Sequence, residues 1–200
     1  MGRRSDHGRE ELEALILGAG SAVMAEGGYG RFSAREVAKR VGYSVGTVMN
    51  LFGNVDGLVT AINSRTFLLW AHWLEDRLAG KSGSERIGVL VRGYFDFAAG
   101  HRNLWAAIYE HRLPEDMAMP EPLVRERVRL TDIIVREVAA VLPDATPDTI
   151  ARLARSLIAT VHGHCSFALG GSFALMGESD PLALAMARVT EALAAQGAQL

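Results

Sequence analysis

Phe32-Ser33-Ala34-Arg35-Glu36-Val37-Ala38-Lys39-Arg40-Val41-Gly42-Tyr43-Ser44-Val45-Gly46-Thr47-Val48-Met49-Asn50-Leu51-Phe52 is the stretch from which the fold can be read. Ser33 through Glu36 has the form of a capping box, in which the serine oxygen takes the Glu36 N–H and the Glu36 carboxylate reaches back to the Ser33 N–H. A short helix therefore starts at Ala34, with Ala34, Val37, Ala38 and Val41 on one face, and Gly42 ends it. Ser44 offers a second cap, and another short helix runs from Val45 to Phe52. Two helices of about two turns joined by a glycine-containing turn make a helix-turn-helix.

Working outward, an earlier helix carries Leu12, Leu15, Ile16, Ala19, Ala22 and Val23 at steps of three and four and stops at Gly27-Gly28-Tyr29-Gly30. That glycine cluster follows a helix rather than a strand and has no Gly-Lys-Ser/Thr behind it, so it terminates a helix rather than cradling a phosphate. On the other side Asn54 caps a long helix from Asp56 to about Leu78. Further helices are expected at about 84–100, 102–112, 121–142, 147–169 and 181–197, marked by Ser84, Thr146-Pro147 and Asp180-Pro181 as caps. Strand-like alternation is absent. The spacing predicts an all-α chain of about nine helices, with a three-helix domain over residues 1–57 and a larger helical domain over 58–200.

Of the 200 residues 49% are hydrophobic, enough to bury a core, and the formal net charge of -2 carries no basic footprint. Residues 1–65 hold eight Lys/Arg against seven Asp/Glu, so charge distribution decides nothing. The single cysteine, Cys165, excludes an internal disulfide framework. The charged start from Met1 to Glu13 does not read as a signal peptide, and a cytoplasmic protein is expected. Ser156 to Gly177 carries no Asp, Glu, Lys or Arg for 22 residues, the length of a membrane span. Its two histidines, three serines, threonine and Gly170-Gly171 pair read instead as a buried helix ending at glycine.

The stretch from Phe32 to Phe52, followed by Asn54-Val55-Asp56-Gly57-Leu58, resembles the N-terminal module of the TetR family of transcriptional regulators. The matching elements are the capped helix, the Ala-x-x-x-Gly turn, the Ser-x-Gly-Thr start of the second helix, its terminal phenylalanine and an early leucine in the fourth helix. Val161-His162-Gly163 is similar to the Trp-His-Gly element of one C-terminal subclass, with valine for tryptophan. The resemblance implies a homodimer that binds a palindromic operator in double-stranded DNA, with repression relieved by a small-molecule effector and no cofactor or metal. The implied DNA-facing residues are Ser33, Ala34 and Arg35 at the start of one helix and Ser44, Val45, Gly46, Thr47, Met49 and Asn50 on the other.

Physically, a helix that enters the major groove presents small or polar groups, as Ser44, Gly46, Thr47 and Asn50 are, while Val48 and Phe52, four apart, face the core. Ser33 and Arg35 suit phosphate contact through a helix N-terminus and a guanidinium. The chain departs from the family pattern at Val45 and Val55, where lysine is common, at Met49, where tyrosine is usual, and at Gly53, where proline or lysine often sits. Each change removes a customary phosphate contact, for which Arg3, Arg4 and Arg9 in an N-terminal arm could compensate.

The resemblance also implies a ligand pocket in the larger domain, for which the lining candidates are Trp70, Trp73, Tyr94, Phe97, His101, Trp105, Tyr109 and His162. Asn63, His72, Glu110 and His111 are polar neighbours, and Ala106 and Ala107 are expected to border the implied cavity; apolar walls with a few polar groups are what a small-molecule site needs. The resemblance implies that the last two long helices form the dimer interface, and composition agrees, with Leu153, Leu157, Ile158, Val161, Cys165 and Phe167 making an apolar surface and Ala154, Ala159 and Gly163 allowing close approach. Two other classes of function are weighed. An enzyme built on His162, His164 and Cys165 fails on geometry, because residues two apart on a helix point about 200° apart and no second cluster accompanies them. A helical interaction protein with weakened or lost DNA binding is suggested by positions 45, 49 and 55.

Overall fold

The computed structural model describes residues 8–115 and 117–198. Among them it is all-helical: α1 Arg9–Gly27, α2 Ala34–Val41, α3 Val45–Phe52, α4 Val55–Leu78, α5 Glu85–Gly100, α6 Arg102–Glu110, α7 Glu121–Val141, α8 Pro147–Leu169, α9 Ser172–Leu175 and α10 Pro181–Ala194. A single 3-10 turn at Tyr29–Arg31 and the four-residue α9 are the elements that periodicity did not reveal, since neither is long enough to show one. The starts fall where caps predict them. Ser33, Ser44, Thr146 and Asp180 each accept a backbone N–H three residues on, and Asn54 Oδ1 accepts the Gly57 N–H at 2.8 Å. Arg9, expected in an arm, is the first residue of α1; Arg3 and Arg4 lie outside the described residues.

Contacts group the chain into two compact units. One contains residues up to Thr66 together with His101–Arg125, and the other Phe67–Gly100 with the chain from Glu126 onward. The three-helix head thus gains α6 as a fourth element. Its core is Ile16, Val23, Met24, Val37, Ala38, Val48, Leu58, Val59, Ile62, Leu104 and Ala107, all nearly solvent-free. Ala107, expected beside the aromatic cavity, lies instead in this core, where its carbonyl accepts from Asn63 Nδ2 at 3.1 Å. Asn103 Nδ2 bonds the Ala25 carbonyl at 2.6 Å, and His111 Nε2 meets Asp56 Oδ1 at 3.1 Å, so α6 is stitched to both α1 and α4 by polar contacts.

In the second unit α5, α8 and α10 pack on one another. The α8 residues at steps of three and four, Ile150, Ala154, Leu157, Val161 and Cys165, are all buried in the chain's own core. Ala154, Leu157, Val161 and Cys165, expected to supply the dimer interface, are therefore already covered, and the α8 face left exposed runs through Ala159 to Phe167, which is 51% exposed. Arg86 on α5 and Glu137 on α7 form a two-pronged ion pair at 2.5 and 2.8 Å, with Glu137 only 3% exposed. The Arg86 guanidinium holds the Glu137 carboxyl below the ordinary carboxylate value, against the opposing effect of burial. Among the described residues no single helix is long and apolar enough to cross a membrane; α3 and α4 reach that composition only as a pair bent by 68°.

Candidate nucleic-acid interface

Backbone conformation fixes how α2 and α3 meet. Gly42 closes α2 in the left-handed region at φ 75°, ψ 23°, and the Tyr43 N–H returns to the Ala38 carbonyl at 3.0 Å. Gly53 closes α3 at φ 79°, which a proline, locked near -65°, cannot adopt and which glycine reaches without strain. At Gly57 the reason for glycine is proximity. A Cβ there would lie 2.0 Å from the Phe52 carbonyl oxygen, so the end of α3 seats directly on the first turn of α4.

The sequence-predicted DNA-facing residues separate by exposure. Arg35, Ser44, Val45, Gly46 and Asn50 are exposed, Ser33, Thr47 and Met49 are half-buried, and Ala34 is buried. Met49 packs partly against the head core together with Phe52, and the Ala34 methyl lies within it, so towards solvent Ala34 offers little beyond its backbone N–H at the start of α2. Val48 is fully buried, as its spacing from Phe52 requires. Ser44 Oγ accepts the Thr47 N–H at 3.0 Å and pairs with Thr47 Oγ1 at the same distance, which orients both hydroxyls at the head of α3.

Only half of the expected capping box forms. Ser33 Oγ accepts the Glu36 N–H at 3.4 Å, but the Glu36 carboxylate turns to Arg40 Nε at 3.2 Å and Lys39 at 3.8 Å. Arg40 is in turn clamped by both Glu26 oxygens at 2.8 and 2.7 Å, a fork-to-fork pair that joins α1 to α2, so one guanidinium serves both the Glu26 and the Glu36 carboxylates. Arg40 is thereby committed within the head, whereas Arg35 forms no ion pair among the described residues. Sequence spacing could not reveal this division, because the Glu26–Arg40 pair spans 14 residues.

Residues 16–62 match the model of bacterial regulatory proteins of the tetR family, and residues 89–191 match that of the tetracyclin repressor-like C-terminal domain. The chain belongs to the TetR family. Solved structures share its fold. A protein of unknown function from Rhodococcus sp. RHA1 is 23% identical with a TM-score of 0.72, covering 96% of this chain and 98% of that one. A TetR-family regulator from Streptomyces coelicolor is 21% identical with a TM-score of 0.63, over 92% and 98%. The Bacillus subtilis regulator FadR, solved with stearoyl-CoA, is 16% identical with a TM-score of 0.59, over 90% and 97%. No curated protein matches the chain in sequence.

In this TetR-family chain the candidate ligand residues fall into both units. Trp105 and Tyr109 lie against each other in the first, at a centroid distance of 5.3 Å, and His101 precedes them at the start of α6. Trp70, Trp73, Tyr94, Phe97 and His162 gather in the second. There Trp70 stacks on Phe97 at 4.6 Å and 3°, Tyr94 meets the Trp70 edge at 4.7 Å, and Tyr94 Oη shares a hydrogen bond with His162 Nδ1 at 2.9 Å. Burial lowers the His162 pKa, so the ring is neutral near pH 7. Trp70 is 1% exposed and its Nε1–H has no hydrogen-bond partner. Asn63 and His111 belong to the head, and His72 and Glu110 are exposed, so these four do not join the cluster.

The histidine and cysteine of the rival enzyme reading have separate fates. His164 Nδ1 donates to the Thr160 carbonyl at 2.8 Å while His162 turns to Tyr94, and burial pushes the Cys165 thiol up to about 12, far from a thiolate. An open cleft of about 360 Å³ that sequence reasoning missed lies in the head, lined by Leu51, Phe52, Thr60, Leu113, Met117 and Leu123. It is assembled from residues far apart in sequence, which leaves no periodic trace.

Proposed function

We propose that this TetR-family chain is a repressor whose homodimer binds a palindromic operator and is released by a small, mostly apolar effector. The observation that carries the DNA-binding part is the α2–α3 arrangement: two eight-residue helices with serine caps, Val48 buried, and Ser44, Gly46 and Asn50 presented outward. Ser33 and Arg35 take phosphate roles in this reading, and Thr47 and Asn50 reach base edges. Residues 1–57 act as the reading domain, with α6 as its added support, and the remainder senses and dimerises.

Dimerisation is assigned to the outer faces of α8 and α10, where Ala159, Phe167, Ala183 and Leu184 are exposed. A twofold pair of heads demands an operator of matching symmetry. The effector is placed at Trp70, Trp73, Tyr94, Phe97 and His162, supported by the partnerless Trp70 N–H, which calls for a ligand acceptor within an aromatic wall. Release needs a preference of about 5.5 kcal/mol for the DNA-incompetent state to shift occupancy from 99:1 to 1:99. The continuous helix α4, which begins behind α3 and carries Trp70 and Trp73, is the element through which occupancy reaches the head.

Selection of bound fragments from a genomic library tests the proposal. Recovery of a palindrome is the expected result; failure to enrich any DNA across a salt series overturns it. The second reading, an interaction protein that has kept the fold, draws on the exposure of Val45 and Val55, 36% and 46%, where the family often has lysine. The same selection separates the two.

A further inference from the structure

The stretch between Arg40 and Asp56 has no charged side chain over 15 residues, and α3 lies wholly within it. Guanine is most often read by Arg or Lys on O6 and N7, and cytosine by a carboxylate on N4. Neither group exists on α3. What α3 and its cap present outward is Ser44, Val45, Gly46 and Asn50. Ser44 and Thr47 share one hydroxyl hydrogen between them at 3.0 Å, and Ser44 Oγ also takes the Thr47 N–H, so this pair keeps a single hydroxyl hydrogen for an outside acceptor. Asn50 is the one side-chain amide of the helix, and its two-pronged partner among the bases is adenine.

Val45 is one of several large apolar side chains left exposed, and the one that lies on α3. It is 36% exposed at the first position of α3, outside the head core that holds Val48. A β-branched side chain is also a poorer helix former than the straight-chain residues. Recognition helices meet base edges with their N-terminal residues, and the apolar feature of the major groove is the thymine C5-methyl. Gly46 beside it adds no side chain, so the backbone can come close.

We infer that the head reads A·T-rich half-sites, with Val45 packing on a thymine methyl and Asn50 on adenine, in place of the cation-to-guanine contact. This rests on the DNA-binding reading above and adds the chemistry of the site it prefers.

The test uses the full-length protein and the palindrome it selects, in fluorescence anisotropy at fixed salt. Thymines of each half-site are replaced one at a time by deoxyuridine, which keeps every hydrogen-bonding group and removes only the methyl. At one position per half-site the wild type is expected to bind about fourfold more weakly per methyl removed, the worth of one buried methyl. Val45→Ala, exposed and hence folded by circular dichroism, should weaken binding to the thymine operator by a similar factor and lose the distinction between thymine and uracil there. Val45→Arg should shift the selected base toward guanine. A selected palindrome with G·C pairs throughout the contacted core overturns the inference while leaving DNA binding intact. So does indifference of the wild type to deoxyuridine, or a Val45→Ala protein that still discriminates. If the wild type selects no DNA at all, the DNA-binding reading itself falls.

Discussion

Gly57→Ala offers the sharpest test of how the head is held together. The added methyl would sit 2.0 Å from the Phe52 carbonyl oxygen and 3.2 Å from its carbon. Carbon-to-oxygen approaches settle at about 3.3 Å or more, so α3 and α4 must part by more than about 1 Å. The obstacle is backbone at the end of α3, which cannot swing aside as a side-chain tip can. Two energies oppose each other. Alanine in place of glycine favours a helix by about 1 kcal/mol, whereas overpacking costs about 1–3 kcal/mol. The net loss of roughly 1 kcal/mol lowers the melting temperature by about 2–4 °C for a chain of this size. DNA binding should suffer more than stability does, because the displaced element is the reading helix and each two-pronged base contact is worth about 1–3 kcal/mol. Titration of the selected operator should show Kd rising by about one to two orders of magnitude, with the protein folded at the assay temperature. Gly53→Ala is the control: φ is 79° there, yet a methyl meets nothing within 4 Å, so the cost is backbone strain without displacement of α3. If Gly57→Ala keeps wild-type affinity, or loses no more than Gly53→Ala, the Gly57–Phe52 contact does not set the angle of α3.

Four further outcomes are expected. Arg86→Ala leaves the Glu137 carboxylate, at 3% exposure, with the exposed Arg136 at 3.0 Å as its remaining cation and should destabilise the second unit by at most about 3–5 kcal/mol in urea denaturation, whereas the double change Arg86→Met, Glu137→Leu should lose less. Because Arg86 depresses the Glu137 pKa in the folded chain, that stabilisation is complete above the ordinary value of 4.5 and fades as pH falls through the lower folded value; Glu137→Gln should flatten this acid limb of the stability profile. Asn50→Ala should relax preference at one operator position per half-site, while Arg35→Ala weakens every sequence and lowers the salt slope by about one, and equal losses on all DNA from both would refute the division of roles. Sedimentation at micromolar concentration should give a dimer, and Ala159→Glu on the exposed α8 face should shift it to monomer; a wild-type monomer that persists with operator present would remove the case for a palindrome.

The helices were legible because their starts and stops are local. Ser33, Ser44, Asn54, Thr146 and Asp180 each bond an N–H three residues away, a distance that sequence reading spans without knowing the fold. The buried face of α2 was legible for the same reason, since Ala34, Val37 and Ala38 lie one turn apart. What escaped was set by distant partners. Glu36 satisfies the sequence form of a capping box, yet its carboxylate is drawn off by Arg40, whose orientation depends on Glu26 on another helix.

The α8 stripe shows the limit most clearly, because a helix in a bundle can bury more than one face and composition does not say which face meets which neighbour. Leu157, Val161 and Cys165 look from sequence like an interface between two chains, but α5 and α10 of the same chain already cover them. A dimer surface must therefore be sought among the residues left over: Ala159 and Phe167 on α8, and Ala183 and Leu184 on α10. Exposure alone does not single Val45 out, since Val55 and Phe167 are more exposed; its weight comes from its place at the first position of α3, where a helix entering the major groove meets base edges.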